Sequence, residues 1–271
     1  MKRLLIHYSI AGLVAYLGLC GWLYAAQGKL LYFPTPEVTA MAAESMTLRN
    51  GSESLKVWKV GDGSNAVIYF GGNGEDVARN IDNVSGLLPD TSAYLLNYRG
   101  YGGSSGIPSE AAIMEDAILL YDDVARRHPQ VAVIGRSLGS GVATWVASQR
   151  DAWKVVLVTP YDSIEDVAKK EYPFAPVSLL LRDKYRSIDN VPGIRAPVLV
   201  LLADIDNVIP RAHSMNLIGS FPIEQVTVRV LPDTTHNTIG SAADYFLLIR
   251  QFLVEEAANT AAQRAASGAG R

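Results

Sequence analysis

The chain has 271 residues, 49% of them hydrophobic and 19% charged, with a formal net charge of −3. No Lys/Arg cluster forms a stripe, so nucleic-acid binding has no electrostatic footprint here. The single cysteine, Cys20, excludes an internal disulfide framework and a cysteine-based metal site, and the length fits one domain of roughly 250 residues or fewer with short extensions.

At the N-terminus, Lys2 and Arg3 precede an uncharged stretch from Leu4 to Gln27. About 20 helical residues cross a hydrocarbon core of roughly 30 Å, so this run is long enough to span a bilayer. Trp22 and Tyr24 lie near its far end, where amphipathic aromatics favour the membrane interface. A cleaved signal peptide wants small residues just before the cut. Cleavage after Ala26 would put Tyr24 at one of those positions, and Leu19 before Cys20 argues against a lipoprotein site. Residues 1–27 are therefore expected to be an uncleaved membrane anchor. Lys2, Arg3 and the amino group on the N-terminal side outweigh the far side, which carries Lys29 against Glu37. That balance predicts an N-terminus in the cytoplasm and the domain after the anchor on the extracytoplasmic side.

Residues 28–44, with Pro34 and Pro36, read as a linker. Strands are then predicted at 45–50, 55–60, 66–70, 92–97, 131–135, 154–158, 197–203 and 225–231. The runs Val67–Phe70, Val131–Ile134 and Val198–Leu202 are almost continuously apolar, as strands buried on both faces require. Helices are predicted at 76–87, 109–128, 138–150, 211–219 and 241–256. In the second of these, Ile113, Ala117, Leu120 and Val124 recur at helical spacing, and Pro129 stops the run. Asn50-Gly51 marks a turn between the first two strands, which have no helix between them. A leading β pair followed by β/α alternation predicts an α/β fold. Its eight-stranded sheet is mostly parallel, with helices on both faces, over residues 45–256. The Ala-, Gly- and Ser-rich stretch 257–271 reads as a disordered tail.

Gly135-Arg136-Ser137-Leu138-Gly139 matches G-x-S-x-G, directly after the strand Val131–Ile134 and at the start of a small-residue helix. That strand–turn–helix setting exposes the serine hydroxyl and aims the Leu138 N–H at a developing oxyanion. A serine hydroxyl needs a base. Of the four histidines, His236 follows the strand 225–231, at the strand end where functional groups gather in open α/β sheets. His7 lies in the anchor, His128 ends a helix ahead of the serine, and His213 opens a helix after strand 197–203. The acid that orients the imidazole falls after strand 197–203, where Asp204 and Asp206 are both candidates. A second oxyanion donor is expected from Gly71-Gly72-Asn73-Gly74, in the loop after strand 66–70.

The chain resembles the single-pass, membrane-anchored α/β-hydrolases, a group that includes protein depalmitoylases. The resemblance rests on Tyr69–Gly74, Asn97–Ser104, Gly135–Gly139, Asp206–Pro210 and Thr235-His236-Asn237, over residues 28–254. It implies an α/β-hydrolase fold and favours Asp206 over Asp204, because the family's D-x-x-V-P-like segment matches Asp206 to Pro210. It implies Asn73 as the second backbone donor, with Gly72 beside it. Gly71 stands where the family usually has histidine. Arg99 and Tyr101 belong to a segment that shapes the loop below the site.

The expected reaction is hydrolysis of a carboxylic ester or thioester by Ser137, Asp206 and His236, through an acyl-enzyme, with no metal or cofactor. A serine peptidase using the same triad and a non-catalytic hydrolase-like binding protein are the alternatives. The substrate is expected to be a small molecule or an acylated one, since apolar residues such as Phe174 and Leu179–Leu181 lie in the insertion 159–196. The oligomeric state has no signature in the sequence.

Overall fold

Side chains alternate faces along a strand, so a strand that is apolar at every position must be covered on both sides. The computed structural model describes residues 1–38, 43–85 and 91–254. In β3 (Asn65–Phe70), Ile68 and Phe70 join one core while Val67 and Tyr69 join the other. The same division runs through β5 (Val131–Arg136), β6 (Val155–Val158) and β7 (Val198–Ile205). One core is closed by α3 (Glu110–Ala125) and α4 (Leu138–Gln149). The other is closed by Val77, α2 (Ile81–Ser85) and the helical residues 243–254.

The remaining strands are β1 (Glu44–Asn50), β2 (Glu53–Val60), β4 (Thr91–Leu96) and β8 (Val226–Thr235). The eight form one sheet in the order β1-β2-β4-β3-β5-β6-β7-β8. The β1–β2 and β2–β4 pairs are antiparallel and the rest are parallel. All eight expected strands are therefore present, with both faces covered. β8 runs four residues beyond its expected end. Pro232 lies within it and is tolerated because β8 is an edge strand, where a missing N–H breaks no ladder.

Two helical regions depart from expectation. Of the stretch expected as one helix at 76–87, the described residues to Ser85 form a 3₁₀ turn, Val77–Asn80, followed by α2, and 86–87 lie outside the described residues. The insertion between β6 and β7 carries three short helices that periodicity did not reveal: α5 (Ile164–Glu171), α6 (Val177–Leu180) and α7 (Ser187–Asn190). These form a cap beside the sheet. The stretch expected as a disordered tail, 257–271, lies outside the described residues.

The N-terminal helix α1 spans Lys2–Leu31 and is long and apolar enough to cross a membrane. It continues past the expected boundary at Gln27, because Gly28–Leu31 contain nothing that breaks a helix. It stops where Pro34 disfavours helical geometry just upstream, and Tyr32 is already extended. The connection to the domain is thus shorter than the expected linker 28–44. Most apolar side chains of α1 are exposed, including Leu5, Leu13, Val14, Leu17 and Trp22. At its C-terminal end Gln27 and the capping residue Tyr32 are buried: Tyr32 donates its hydroxyl to Asp183 Oδ2 at 2.9 Å and lies 3.0 Å from the Tyr185 hydroxyl. After α8 (Arg211–Gly219) and β8, the chain returns to the sheet through residues 243–254.

Candidate active site

The site begins with the tight turn from β5 into α4. Ser137 sits between them at φ 50° and ψ −118°, a left-handed conformation costly for a residue with a Cβ. Its neighbours allow that strain. A Cβ on Gly135 would lie 2.2 Å from the Gly139 carbonyl oxygen, and a Cβ on Gly139 would lie 2.1 Å from the Phe70 carbonyl oxygen. Only glycine lets strand, helix and β3 approach this closely. Hydrogen bonds hold the turn from both sides, from Ser137 N–H to the Val158 carbonyl at 2.9 Å and from Ser140 N–H to the Ser137 carbonyl at 2.8 Å.

The register of β7 and β8 brings the next two residues together. Ile205 pairs with Thr235 beyond a bulge at Ala203, so Asp206 and His236 leave adjacent strand ends side by side. His236 Nδ1 lies 2.9 Å from Asp206 Oδ2 and 3.1 Å from Asp206 Oδ1. His236 Nε2 lies 2.8 Å from Ser137 Oγ. Asp204 is exposed and makes none of these contacts, so the geometry selects Asp206. Burial alone would raise the Asp206 carboxyl. The hydrogen bond with His236 and the N–H groups of Ile209 and Val208 outweigh it and hold the group below its ordinary range. Asp206 is thereby kept ionised and aimed at Nδ1.

The loop Gly71–Gly74 packs against the serine, and a Cβ on Gly72 would lie 3.6 Å from the Ser137 Cβ. Of the three expected oxyanion donors, the Gly72 N–H is already used: it donates to Glu75 Oε2 at 2.8 Å. That corrects the expectation for Gly72, since a donor bound to a carboxylate is not offered to a substrate. Among the described residues, the Leu138 and Asn73 N–H groups make no hydrogen bond. Gly71, where the resemblance leads one to expect histidine, has no room for a side chain. A Cβ there would lie 2.7 Å from Val77 Cγ1.

No family model matches the chain. An uncharacterized protein of Mycobacterium tuberculosis is 30% identical over 268 residues, covering 92% of this chain and 94% of that protein. The α/β-hydrolase domain-containing protein 17B of Xenopus laevis is 30% identical over 173 residues, covering 60% of this chain and 56% of its own length. A crystallised esterase of Pyrococcus furiosus superposes with a TM-score of 0.66 at 16% identity, covering 83% of this chain and 97% of that one. The chain belongs to the α/β-hydrolases.

Several residues of this α/β-hydrolase site carry no signal in the sequence motif. Arg136 occupies the variable position of G-x-S-x-G, yet its Nη1 donates to Glu75 Oε2 at 2.9 Å and its Nη2 to the His236 carbonyl at 3.2 Å. Glu75 also accepts from the Tyr69 hydroxyl at 2.8 Å and from Asn80 Nδ2 at 2.5 Å. This brace ties the loop carrying His236 to the loop carrying Gly72. The segment Asn97–Ser104 acts as expected, from below. Tyr98 donates its hydroxyl to the Gly71 carbonyl at 2.9 Å, and Tyr101 donates its own to Asn73 Oδ1 at 2.8 Å. Arg99 turns away to Asp116, with contacts of 2.6 and 2.8 Å. His213 pairs with Asp162 at 2.8 Å, and His128 lies 2.9 Å from the Tyr94 hydroxyl, so each has a partner away from Ser137. Among the described residues, no cluster of three or more His, Cys, Asp or Glu side chains could hold a metal.

Proposed function

We propose that the protein is a membrane-anchored serine hydrolase that cleaves carboxylic esters or thioesters through an acyl-enzyme on Ser137. The observation that carries this reading is the continuous hydrogen-bonded line Ser137 Oγ–His236 Nε2, His236 Nδ1–Asp206. His236 takes the proton of the Ser137 hydroxyl as the oxygen attacks the substrate carbonyl. Asp206 holds the imidazole in the tautomer with hydrogen on Nδ1 and stabilises it once it is charged. The N–H groups of Leu138 and Asn73 receive the oxyanion. His236 then returns the proton to the leaving oxygen or sulfur. Water, activated by the same imidazole, attacks the acyl-enzyme and releases the carboxylic acid.

The length and apolar surface of α1 support a single membrane span. The positive charge at Lys2 and Arg3 supports an extracytoplasmic catalytic domain. Protection of the domain from protease in intact inside-out vesicles, but not in permeabilised ones, is the expected result for that orientation.

The direct test of the chemistry uses an active-site-directed fluorophosphonate on the full-length protein. Labelling is expected at Ser137 and absent in Ser137→Ala. A folded wild-type protein that takes no label, or a variant that labels equally well, sinks the hydrolase reading and leaves the binding-protein alternative. A matched series of esters, thioesters and peptide amides then separates the esterase from the peptidase.

A further inference from the structure

The cap meets α1 well below the point where the helix enters the domain. Tyr16 donates its hydroxyl to the Phe174 carbonyl at 3.1 Å, and Gln27 Nε2 donates to the Leu180 carbonyl at 3.1 Å. Between Tyr16 and Gln27 the helix rises about 16 Å, at ~1.5 Å per residue. A span of about 20 residues beginning at Leu4 ends near Leu23. Tyr16, and Phe174 beside it, then lie about 10 Å inside the hydrocarbon by the same rise. The cap surface suits that depth: Tyr172, Phe174 and Leu179 are 38%, 53% and 81% exposed. The Arg182 guanidinium lies over the Tyr24 ring at 5.2 Å, as an interfacial cation–aromatic pair would.

Between α1 and the cap is a cleft of about 130 Å³, comparable with the ~150 Å³ apolar cavities that take up one small hydrocarbon. Leu23, Leu30 and Leu31 form one wall, and Ala168, Val177 and Leu181 the other. Gln27 also lines it, but its amide is fully committed. Nε2 donates to the Tyr24 and Leu180 carbonyls, and Oε1 accepts from the Arg182 N–H at 2.8 Å. Such a lining rewards hydrocarbon and offers little to a polar ligand.

We infer that this cleft holds the end of one hydrocarbon chain of a bilayer lipid, which enters from the membrane edge near Leu23, between α1 and the segment 172–181. Helix and cap are packed together at Tyr16 and at Gln27, and the cleft opens beside Gln27, along α1 from Leu23 to Leu31. A chain already in the bilayer fills it without desolvating any polar group. The helix is then a wall of a lipid site as well as a tether. Leu31 belongs to both the cleft and the neighbouring loop: its side chain lines the cleft, and its carbonyl accepts from Asn73 Nδ2 at 2.7 Å. Occupancy of the cleft therefore bears on the loop beside Ser137.

The test uses full-length protein in phosphatidylcholine nanodiscs containing phosphatidylcholine with a diazirine near the end of one chain. After irradiation, crosslinks are mapped by mass spectrometry. Crosslinks are expected on Ile164, Ala168 and Val177, falling at least fivefold in Ala168→Trp and in Ala175→Trp, two independent fillings of the cleft. Circular dichroism identifies a variant that has not folded. Crosslinks confined to the outward residues of α1, such as Leu13 and Leu17, overturn the inference, as does labelling that persists in both folded variants. Labelling of the cleft by a water-borne diazirine fatty acid but not by the phospholipid overturns the bilayer source. Ser137→Ala is expected to crosslink like wild type, so the result is read independently of hydrolysis. Loss of crosslinking in that variant would tie the chain to turnover and overturn the inference too.

Discussion

The Leu31 carbonyl, at the C-terminal end of α1, accepts a hydrogen bond from Asn73 Nδ2 at 2.7 Å. The other end of the same amide accepts from the Phe33 N–H at 3.0 Å and the Tyr101 hydroxyl at 2.8 Å. The chain leaving α1 is thereby fastened to the loop that supplies a candidate oxyanion donor. A helix end leaves its last carbonyls unpaired, and here a side chain of the active-site loop satisfies one of them.

Asn73→Ala should consequently reduce kcat about 10- to 100-fold while KM changes little. The Asn73 N–H survives, but it loses the three contacts that orient it, and misplacement of catalytic groups by about 1 Å can cost that much. Removal of residues 1–31 should give a similar loss on a water-soluble short-chain ester. Steady-state kinetics on both variants check this. Unchanged kcat in both would show that the helix end does not position the loop.

Gly139 makes a stability prediction. Its missing Cβ faces the Phe70 carbonyl oxygen at 2.1 Å and the Gly71 carbonyl oxygen at 2.6 Å, both main-chain atoms that cannot swing aside. Gly139→Ala should destabilise the domain by about 3 kcal/mol, at the upper end of overpacking costs. Gly219→Ala is the control: nothing lies within 4 Å of its Cβ position, so little change is expected. Urea unfolding of both variants measures the difference.

Much of this site was legible before the structure, for identifiable reasons. The central strands are apolar at every position, so they stand out over four or five residues. Ser137 is framed by glycines that the turn requires. The choice between Asp204 and Asp206 is different, because the two are equivalent by position in the chain and only the D-x-x-V-P-like resemblance favours Asp206. The Ile205–Thr235 register gives the physical reason, facing Asp206 toward His236 and leaving Asp204 to solvent. The cap helices escaped because each has eight residues or fewer, about two turns, too short to show a period. Glu75 and Arg136 escaped because their partners are far along the chain, and an ion pair between loops leaves no local pattern.

The cap itself should respond to acid. Glu165 is buried between Lys169, Lys184 and Arg186. Burial pushes its carboxyl up, but contacts with Ser178, Arg186 and Lys169 outweigh burial and bring it from the usual 4.5 down to about 2. A carboxyl lowered in the folded state contributes stability above its unfolded value, and that contribution is lost as pH falls through the folded one. Stability should therefore decline between pH 4.5 and about 2. Glu165→Gln should be less stable at neutral pH and lose less over that interval. Thermal unfolding followed across this range gives both slopes, and parallel curves for the two proteins would contradict the assignment.

The Arg136–Glu75 pair lends itself to a double-mutant cycle. Both side chains are mostly buried, at 19% and 10% exposure. Removing either charge alone strands the other beside the site, at an expected cost of about 2–3 kcal/mol after allowance for partial exposure. Glu75→Gln keeps an oxygen for the Gly72 N–H but cannot balance the guanidinium. Arg136→Met removes the guanidinium and with it the bond to the His236 carbonyl. In the double variant no unpaired charge remains, so it should be more stable than the sum of the single losses implies, by about 1 kcal/mol or more. Activity should behave otherwise. Every variant lacking Arg136 loses the tie between the His236 loop and Glu75, so kcat should stay depressed in the double variant even as stability recovers. Equilibrium unfolding and kcat, measured on the same four proteins, separate the two effects. A double variant that regains full activity would mean that charge balance, and not the bond to His236, is what the brace supplies.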